Sequence, residues 1–339
     1  MLRIVQVGLG PLGQRVVADL HARGLGEVVA AFDVASEFEG HTVGDLVPST
    51  GSRVPVAKGF ASLDSVGAVD AALVTTSSDL GVCARDLREL LRRGHTVVSS
   101  CEELCWPWLR HRALAEELDR LAKQHGGRLL GTGVNPGFLM DAFPLAATAI
   151  SRTVRSVRVE RWQDASIRRI PFQRKIGAGL DDRHFAEQVA AGTLRHVGLG
   201  ESLHLLADRL GFAIERWSED LAPIHATRDL DSSLGPIARG RVAGVHQVGR
   251  AFSEGREVLT LDFRAAVGLE HPHDRVVVDG EPPIDLVWKG GVPGDVATSA
   301  ILLNAVGPLR AATPGLHTMA TIPLFGCARG RSLAASASS

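Results

Sequence analysis

The sequence predicts an α/β protein: an N-terminal doubly wound parallel sheet, followed by a second α+β domain with a mostly antiparallel sheet. Apolar strands alternate with helical segments over about the first 130 residues, which is typical of a parallel sheet covered on both faces. Residues 153–162 (TVRSVRVERW) instead alternate apolar and polar side chains, the period of a half-exposed strand. A long hairpin is expected at 241–267, around Ser253-Glu254-Gly255.

The first strand is expected at residues 2–8 (LRIVQVG), a continuous apolar run. Further strands are expected at 27–33, 70–76, 95–100 and 128–131, and helices at 14–23, 79–93 and 110–125. In the second domain, two short strands are expected at 275–279 and 284–288. The domains predicted are 1–137 (dinucleotide binding), 138–294 (substrate binding and dimerisation), 295–326 (a helix and tail returning to the first domain) and 327–339 (a disordered tail).

Composition excludes several classes of protein. The 339 residues carry 37 Lys and Arg against 38 Asp and Glu, a net charge of −1, which argues against a protein built to neutralise nucleic-acid phosphates. No apolar stretch reaches the ~20 residues that span a bilayer, and no signal-peptide pattern is seen. Four cysteines do not make a disulfide scaffold, so a reducing cytoplasm is predicted. The chain has no tyrosine and four lysines, which excludes reductases that use a Tyr/Lys pair.

A glycine-rich turn follows the first strand and opens a helix. The run is Gly8-Leu9-Gly10-Pro11-Leu12-Gly13, which matches the Rossmann dinucleotide fingerprint in its required position. Gly8 permits a tight turn, Gly10 lets the backbone approach a pyrophosphate, and Gly13 lets the helix pack closely on the strand. The N-terminus of the helix offers N–H groups to the phosphates. The turn therefore predicts a dinucleotide site.

Asp33 ends the second strand, the position of a carboxylate that binds the ribose hydroxyls of NAD. No arginine follows in residues 34–37 to receive a 2′-phosphate, so NAD is preferred and NADP is the alternative. Thr75, Thr76 and Ser77 end the next central strand, where they would line the nicotinamide side, cap the following helix, or do both.

Two adjacent carboxylates follow the strand at 95–100. Glu102 and Glu103 lie in the segment SSCEELCWPW (99–108), where they are candidates for acid/base catalysis or for the start of a helix. Cys101 and Cys105 have a CxxxC spacing with no second pair, so a metal site is not predicted, and Cys101 is a candidate cofactor contact. The histidines of His271-Pro272-His273-Asp274 are interpreted as part of a turn between strands.

Five segments together resemble one enzyme family, that of 2,4-diaminopentanoate dehydrogenase and the native amine dehydrogenases, often labelled dihydrodipicolinate-reductase-like. They are SSCEELCWPW, GTGVNPGFLMD (131–141), DASIRRIPFQRKIGAGL (164–180), RHVGLGES (195–202) and GDVATSAILLNAVGP (294–308). The resemblance runs over nearly the whole chain. It implies NAD(P)-dependent oxidative deamination of an amine, the reverse reductive amination of an aldehyde or ketone with ammonia, and a homodimer.

The resemblance also implies roles for individual residues. A glutamate of the CEE segment is the acid/base, and Glu102 is preferred over Glu103. Asn135 and Pro136 would face the nicotinamide and the substrate, although Asn-Pro-Gly also makes a tight turn. The further pocket candidates, each with an ordinary packing or surface alternative, are Phe138, Met140, Arg161, Gln163, Arg168, Phe172, His196 and Thr298.

Two other functions are alternatives to an amine dehydrogenase. One is a 4-hydroxy-tetrahydrodipicolinate reductase-like imine reductase, a family that carries a His-His-x-x-Lys segment which this chain lacks. The other is a non-catalytic NAD-binding sensor, which the fold alone permits and the acid pair argues against. The identity of the amine is left open by the sequence.

Overall fold

The computed structural model describes residues 1–166, 168 and 170–330. Its strands are β1 (Leu2–Val7), β2 (Gly26–Phe32), β3 (Val56–Ala57), β4 (Ala71–Val74), β5 (Thr96–Ser99), β6 (Arg128–Gly131), β7 (Thr153–Asp164), β8 (Arg216–His225), β9 (Val242–Ser253), β10 (Arg256–Ala266), β11 (His273–Glu281), β12 (Ile284–Lys289) and β13 (Gly315–His317). Its helices are α1 (Pro11–Ala22), α2 (Val43–Leu46), α3 (Leu80–Arg92), α4 (Arg112–His125), α5 (Ala142–Ala147), α6 (Ile170–Lys175), α7 (Asp182–Ala190), α8 (Leu199–Leu210) and α9 (Gly294–Ala311).

The chain forms two compact units. One comprises Met1–Phe138 together with the chain from Pro293 onward, and the other comprises Leu139–Val292. Helix α9 and strand β13 therefore belong to the unit that contains the N-terminus. Part of the predicted disordered tail, residues 331–339, lies outside the described residues.

The first unit is built on a seven-stranded sheet in the order β13-β6-β5-β4-β1-β2-β3, and every pairing in it is parallel. Neighbouring side chains of β1 enter different cores: Ile4 packs with α1 and α9, and Val5 packs with α3 and α4. Both faces are thus covered, which explains why these strands are continuous apolar runs.

The second unit contains a six-stranded sheet in the order β12-β11-β7-β10-β9-β8. All pairings are antiparallel except that of β7 with β10. Val159, Val245 and Leu261 join the core on which Leu203 of α8 packs. Arg158 and Asp262 alternate with these core residues and form an ion pair, with the nearest N and O atoms 2.7 Å apart.

The predicted fold class is confirmed, and every strand expected in the first 130 residues is present. The predicted hairpin is the pair β9 and β10, joined at residues 254–255. Five helices (α2 and α5 to α8) and three strands (β3, β8 and β13) were not anticipated. β3 and β13 are edge strands of two and three residues, too short to leave a periodic pattern. Within the described residues, no helix is long and apolar enough to cross a membrane.

Candidate active site

The glycine turn is fixed by close contacts that only glycine allows. Gly8 has a φ of +87°, and a Cβ there would lie 2.9 Å from the carbonyl of Thr75. A Cβ on Gly13 would lie 2.0 Å from the carbonyl oxygen of Gly8. By contrast, a Cβ on Gly10 would meet nothing within 4 Å. Two glycines therefore shape the turn, and the third leaves open space in front of the backbone.

A buried glutamine side chain holds this turn in place through hydrogen bonds. The side chain of Gln6, fully buried in β1, donates hydrogen bonds to the carbonyl oxygen of Gly8 (2.8 Å) and to Oγ1 of Thr75 (2.9 Å). The Thr75 hydroxyl in turn donates to the same Gly8 carbonyl (2.9 Å). Two side-chain donors thus hold one carbonyl of the turn, which positions the turn before any ligand binds.

Helix α1 begins directly after this turn. Gly10 is its N-cap and Pro11 its first residue, followed by Leu12 and Gly13. No side chain caps this end and no acidic residue lies in the first turn. The positive end of the helix dipole is therefore available to an anion beside the open space at Gly10.

Asp33 follows β2 at the same edge of the sheet. One carboxylate oxygen accepts a hydrogen bond from the backbone N–H of Leu9 (2.7 Å), and the other accepts one from Ala35 (2.9 Å). These contacts tie the carboxylate to the glycine turn. Asp33 is half-buried, so it retains an exposed side.

The hydroxyl groups after β4 have local partners. Thr75 belongs to the support of the glycine turn, and Ser77 Oγ accepts from the N–H of Asp79, the N-cap of α3 (3.1 Å). Thr76 Oγ1 lies 3.4 Å from Cys83 Sγ. The cap of α3 is therefore Asp79 and not Ser77, whose contact closes the turn before the helix, whereas the exposed Thr76 stays a candidate for the nicotinamide side.

Cys101 is fully buried at the end of β5, and its thiol donates to the carbonyl of Ser78 (3.2 Å). The neighbouring Cys83 thiol and burial raise the pKa of Cys101. Its thiol is therefore neutral at physiological pH. None of the four cysteines, all of them among the described residues, forms a disulfide.

The two glutamates occupy different environments. They begin a 3₁₀ turn, Glu102–Cys105, in which Glu102 is half-buried and Glu103 is buried. Oε2 of Glu103 accepts from the N–H of Leu80 (2.9 Å) and lies 2.8 Å from Nε2 of His111. The carboxylate of Glu103 is thus engaged at the N-terminus of α3, a helix earlier in the chain, where a negative charge is favoured.

The turn at 132–137 follows β6 at the same sheet edge. Asn135 and Pro136 are buried and joined by a cis peptide bond, and Gly137 has a φ of +118°. The hydroxyl oxygen of Thr298 in α9 accepts from the N–H of Val134 (3.3 Å). Both the turn and Thr298 lie in the first unit, as does Phe138.

Arg161 and Gln163, candidates from the resemblance, are buried in the second unit. The guanidinium of Arg161 is 2% exposed and pairs with Asp274 at 2.7 Å. Burial lowers the pKa of Arg161, and Asp274 opposes that effect. Both Arg161 and Gln163 also donate to the carbonyl of Val292. The charge of Arg161 is therefore already balanced within the unit.

The other candidates of the second unit make packing contacts. The Arg168 guanidinium lies 4.1 Å from the centre of the Phe172 ring. His196 stacks on Phe263 with ring centres 4.5 Å apart, and its backbone is held by Gln247. Met140 is fully buried in the core of this unit, which favours the packing alternative for that residue.

No group of three or more potential metal ligands occurs in residues 1–166, 168 and 170–330. His273 begins β11, with Nε2 3.1 Å from Glu160, so the His-Pro-His-Asp segment is split between a turn and a strand.

Sequence reasoning missed Gln6 and His111. Gln6 left a signal, because it is the one polar residue near the end of an apolar strand. His111 left none, since its contact with Glu103 depends on how the chain folds back before α4.

A parallel sheet with a glycine turn after its first strand and a carboxylate after its second defines the class of dinucleotide-binding oxidoreductases. Residues 138–336 match the family model of the 2,4-diaminopentanoate dehydrogenase C-terminal domain. The chain belongs to the 2,4-diaminopentanoate dehydrogenase family, and the resemblance predicted from its sequence is confirmed.

Individual relatives agree with this assignment. The chain is 29% identical over 331 residues to a 2,4-diaminopentanoate dehydrogenase of Acetoanaerobium sticklandii, covering 95% of this chain and 94% of that protein. Its fold resembles that of an amine dehydrogenase from Mycobacterium smegmatis, with a TM-score of 0.82, 24% identity and coverage of 98% and 97% of the two chains. A more distant fold match is the WlbA dehydrogenase from Bordetella pertussis, solved with NADH and UDP-GlcNAcA (TM-score 0.54, 14% identity, coverage of 94% and 91%).

Proposed function

We propose that this chain is a nicotinamide-dependent amine dehydrogenase, which deaminates an amine oxidatively and, in reverse, aminates an aldehyde or ketone with ammonia. The observation that carries the proposal is the position of Glu102, three residues after the end of β5, at the sheet edge that also bears the glycine turn. The names of the A. sticklandii and M. smegmatis proteins support the same chemistry. The amine is 2,4-diaminopentanoate or a simpler aliphatic or cyclic amine.

The residues of the first unit fit a nicotinamide dinucleotide. The open space at Gly10 and the uncapped start of α1 suit its pyrophosphate, and Asp33 suits the adenosine ribose. When bound, the nicotinamide supplies the acceptor for a hydride. The carboxylate of Asp33 would repel a 2′-phosphate, so we expect tighter binding of NADH than of NADPH, measured by fluorescence titration. Tighter NADPH binding would contradict this preference.

Glu102 is proposed as the acid/base because the carboxylate of Glu103 already accepts a backbone hydrogen bond and contacts His111. In the direction of deamination, Glu102 takes a proton from the substrate ammonium, so that the amine lone pair can form the iminium as the hydride leaves. After passing that proton to solvent, Glu102 takes a second proton from the water that attacks the iminium carbon. It returns this proton to the nitrogen, which leaves as ammonia while the new hydroxyl gives up its proton to form the carbonyl. One carboxylate serves both proton steps, and no metal is required.

Two further properties, the oligomeric state and the cellular compartment, are part of the proposal. The family resemblance supports a homodimer, which light scattering after size-exclusion chromatography would test: a mass of one chain contradicts it. The four cysteines, none of which forms a disulfide, support a reducing compartment, the cytoplasm.

The proposal is tested with a panel of aldehydes and ketones, ammonium, and NADH or NADPH. We expect turnover, and we expect Glu102→Gln to lower kcat by about 10²–10⁴-fold while NADH affinity is unchanged, because general acid/base catalysis contributes about that factor. Normal turnover of Glu102→Gln would remove Glu102 from the mechanism. A wild-type protein that binds NADH and turns over no carbonyl would instead favour the sensor.

A further inference from the structure

The contacts of Glu103 join three segments that lie near Glu102. Its side chain, 11% exposed, accepts from the N–H of Leu80 at the start of α3 and contacts the ring of His111, the N-cap of α4. Since a carboxylate only accepts, the His111 ring N–H is the donor. The backbone N–H of Glu103 donates to the carbonyl of Ser78 (3.3 Å).

The residue before Glu102 is held as well. The thiol of Cys101 donates to the carbonyl of Ser78, and its backbone N–H donates to Oγ of Ser99 (3.1 Å). The main chain is therefore fixed on both sides of Glu102. Among these contacts, the side chain of Glu103 is the one charged group, and it makes two polar contacts. It therefore holds the main chain more strongly than the thiol of Cys101 does.

We propose that Glu103 and His111 form a positioning pair that sets the place of Glu102 in the reaction. This inference rests on the proposed function, because it takes Glu102 as the acid/base. Catalytic groups act from a narrow range of positions, and a displacement of about 1 Å lowers turnover by about 10²-fold. Glu103 is not itself a proton carrier in this assignment, and it acts through the turn that it shares with Glu102.

A simpler role for Glu103 would be to cap α3, and the chain offers a matched control for that role. Asp79 caps the same helix, because its carboxylate accepts from the N–H of Val82 (3.1 Å). Asp79→Ala removes a cap from α3 and leaves both contacts of Glu103 in place. An effect that arises from capping alone will appear in Asp79→Ala and Glu103→Ala alike.

The experiment measures kcat, KM and Tm for Glu103→Ala, Glu103→Gln, His111→Ala and Asp79→Ala in the full chain. We expect Glu103→Ala and His111→Ala to lower kcat by about tenfold or more, with KM for the nicotinamide within about twofold of the wild type. Glu103→Gln should recover part of the loss, since its amide oxygen still accepts from Leu80. Asp79→Ala should lower Tm and retain kcat.

Two kinetic results would overturn the positioning role. Glu103→Ala and His111→Ala could lower kcat no more than Asp79→Ala does, which would make the pair a helix cap only. Alternatively, Glu103→Gln could be as inactive as Glu102→Gln, which would make Glu103 a proton carrier. Should Glu103→Ala fail to fold, His111→Ala decides, because that side chain is 28% exposed and its truncation leaves no fully buried cavity.

A crystal structure of His111→Ala gives a readout that is independent of turnover. We expect the carboxylate of Glu102 to shift by about 1 Å while α3 stays in place. A Glu102 that superimposes on the wild type overturns the inference even in an active enzyme. Absence of turnover in the wild type, with a shifted Glu102 in the variant, would instead count against the proposed function alone.

Discussion

Alanine substitutions at Gly10 and at Gly13 should separate the two roles of the glycine turn, which are stability of the fold and binding of a cofactor. The methyl group of Gly13→Ala would lie 2.0 Å from the carbonyl oxygen of Gly8, whereas real Cβ atoms stay at least 3.0 Å from such atoms. The turn or the helix must then move by about 1 Å, since 3.0 − 2.0 is 1.0. The methyl group of Gly10→Ala meets no atom of the protein within 4 Å, and the backbone there has a φ of −62° that alanine adopts readily.

The expected magnitudes differ accordingly. Gly13→Ala overpacks a tight contact, which destabilises a protein by about 1–3 kcal/mol and lowers Tm by roughly 2–12 °C at ~2–4 °C per kcal/mol. Gly10→Ala replaces an N-cap glycine, a loss of up to about 1 kcal/mol, but stiffens the unfolded chain by about 0.4–1 kcal/mol. The two terms offset, so its Tm should stay near that of the wild type.

NADH titration followed by fluorescence, with Tm measured in the absence of cofactor, checks both variants. Gly10→Ala should bind NADH about tenfold or more weakly, equivalent to about 1.4 kcal/mol, because its methyl group fills the space assigned to the pyrophosphate. Gly13→Ala should lose both stability and affinity. Unchanged NADH affinity in Gly10→Ala would refute the assignment of that space, whatever happens to Gly13→Ala.

Two further predictions concern the second unit. Asp274→Ala leaves the buried Arg161 without its counterion and should lower the free energy of unfolding by about 3–5 kcal/mol, measured by urea titration. The double variant Arg161→Met with Asp274→Leu should recover most of that free energy, because it removes both charges. A double variant as unstable as Asp274→Ala would contradict this explanation. Burial would raise the pKa of Asp262, but hydrogen bonds from His246 and Arg264 outweigh it and hold that pKa at about 2, below the ordinary 3.8. Its stabilisation is complete above pH 3.8 and is lost as pH falls towards 2, so the difference in Tm between wild type and Asp262→Asn should shrink over that range, and a constant difference would refute this origin.

The glycine turn shows how far local pattern reaches. Its three glycines, the helix they open and Asp33 at the end of β2 were predicted together, because the spacing from strand to turn to helix is set by backbone geometry. The structure places Asp33 against the N–H of Leu9, a contact between residues 24 apart in the sequence. A contact between residues so far apart follows no repeating sequence pattern, so it cannot be predicted from the sequence.

The acid pair shows where local pattern stops. Glu102 and Glu103 are identical residues in adjacent positions, and the sequence left open which one carries protons and which one begins a helix. In the fold, the carboxylate of Glu103 contacts both α3 and the segment before α4, and these contacts depend on tertiary structure. Arg161 is similar: the family resemblance made it a pocket candidate, whereas Asp274, 113 residues away, balances its charge in the fold.

The sequence by itself determined the fold class, the dinucleotide turn and the family, because each depends on hydrophobic period, glycine placement or a run of contiguous motifs. Tertiary structure alone decided the partner of each polar group: Gln6 with the glycine turn, His111 with Glu103, Asp274 with Arg161. Periodicity records which side of a strand or helix is buried, and it carries no information on which distant donor meets which acceptor. The tyrosine-free composition leaves the proton chemistry of the proposed reaction to a carboxylate, and the fold gives the two candidate glutamates different degrees of burial.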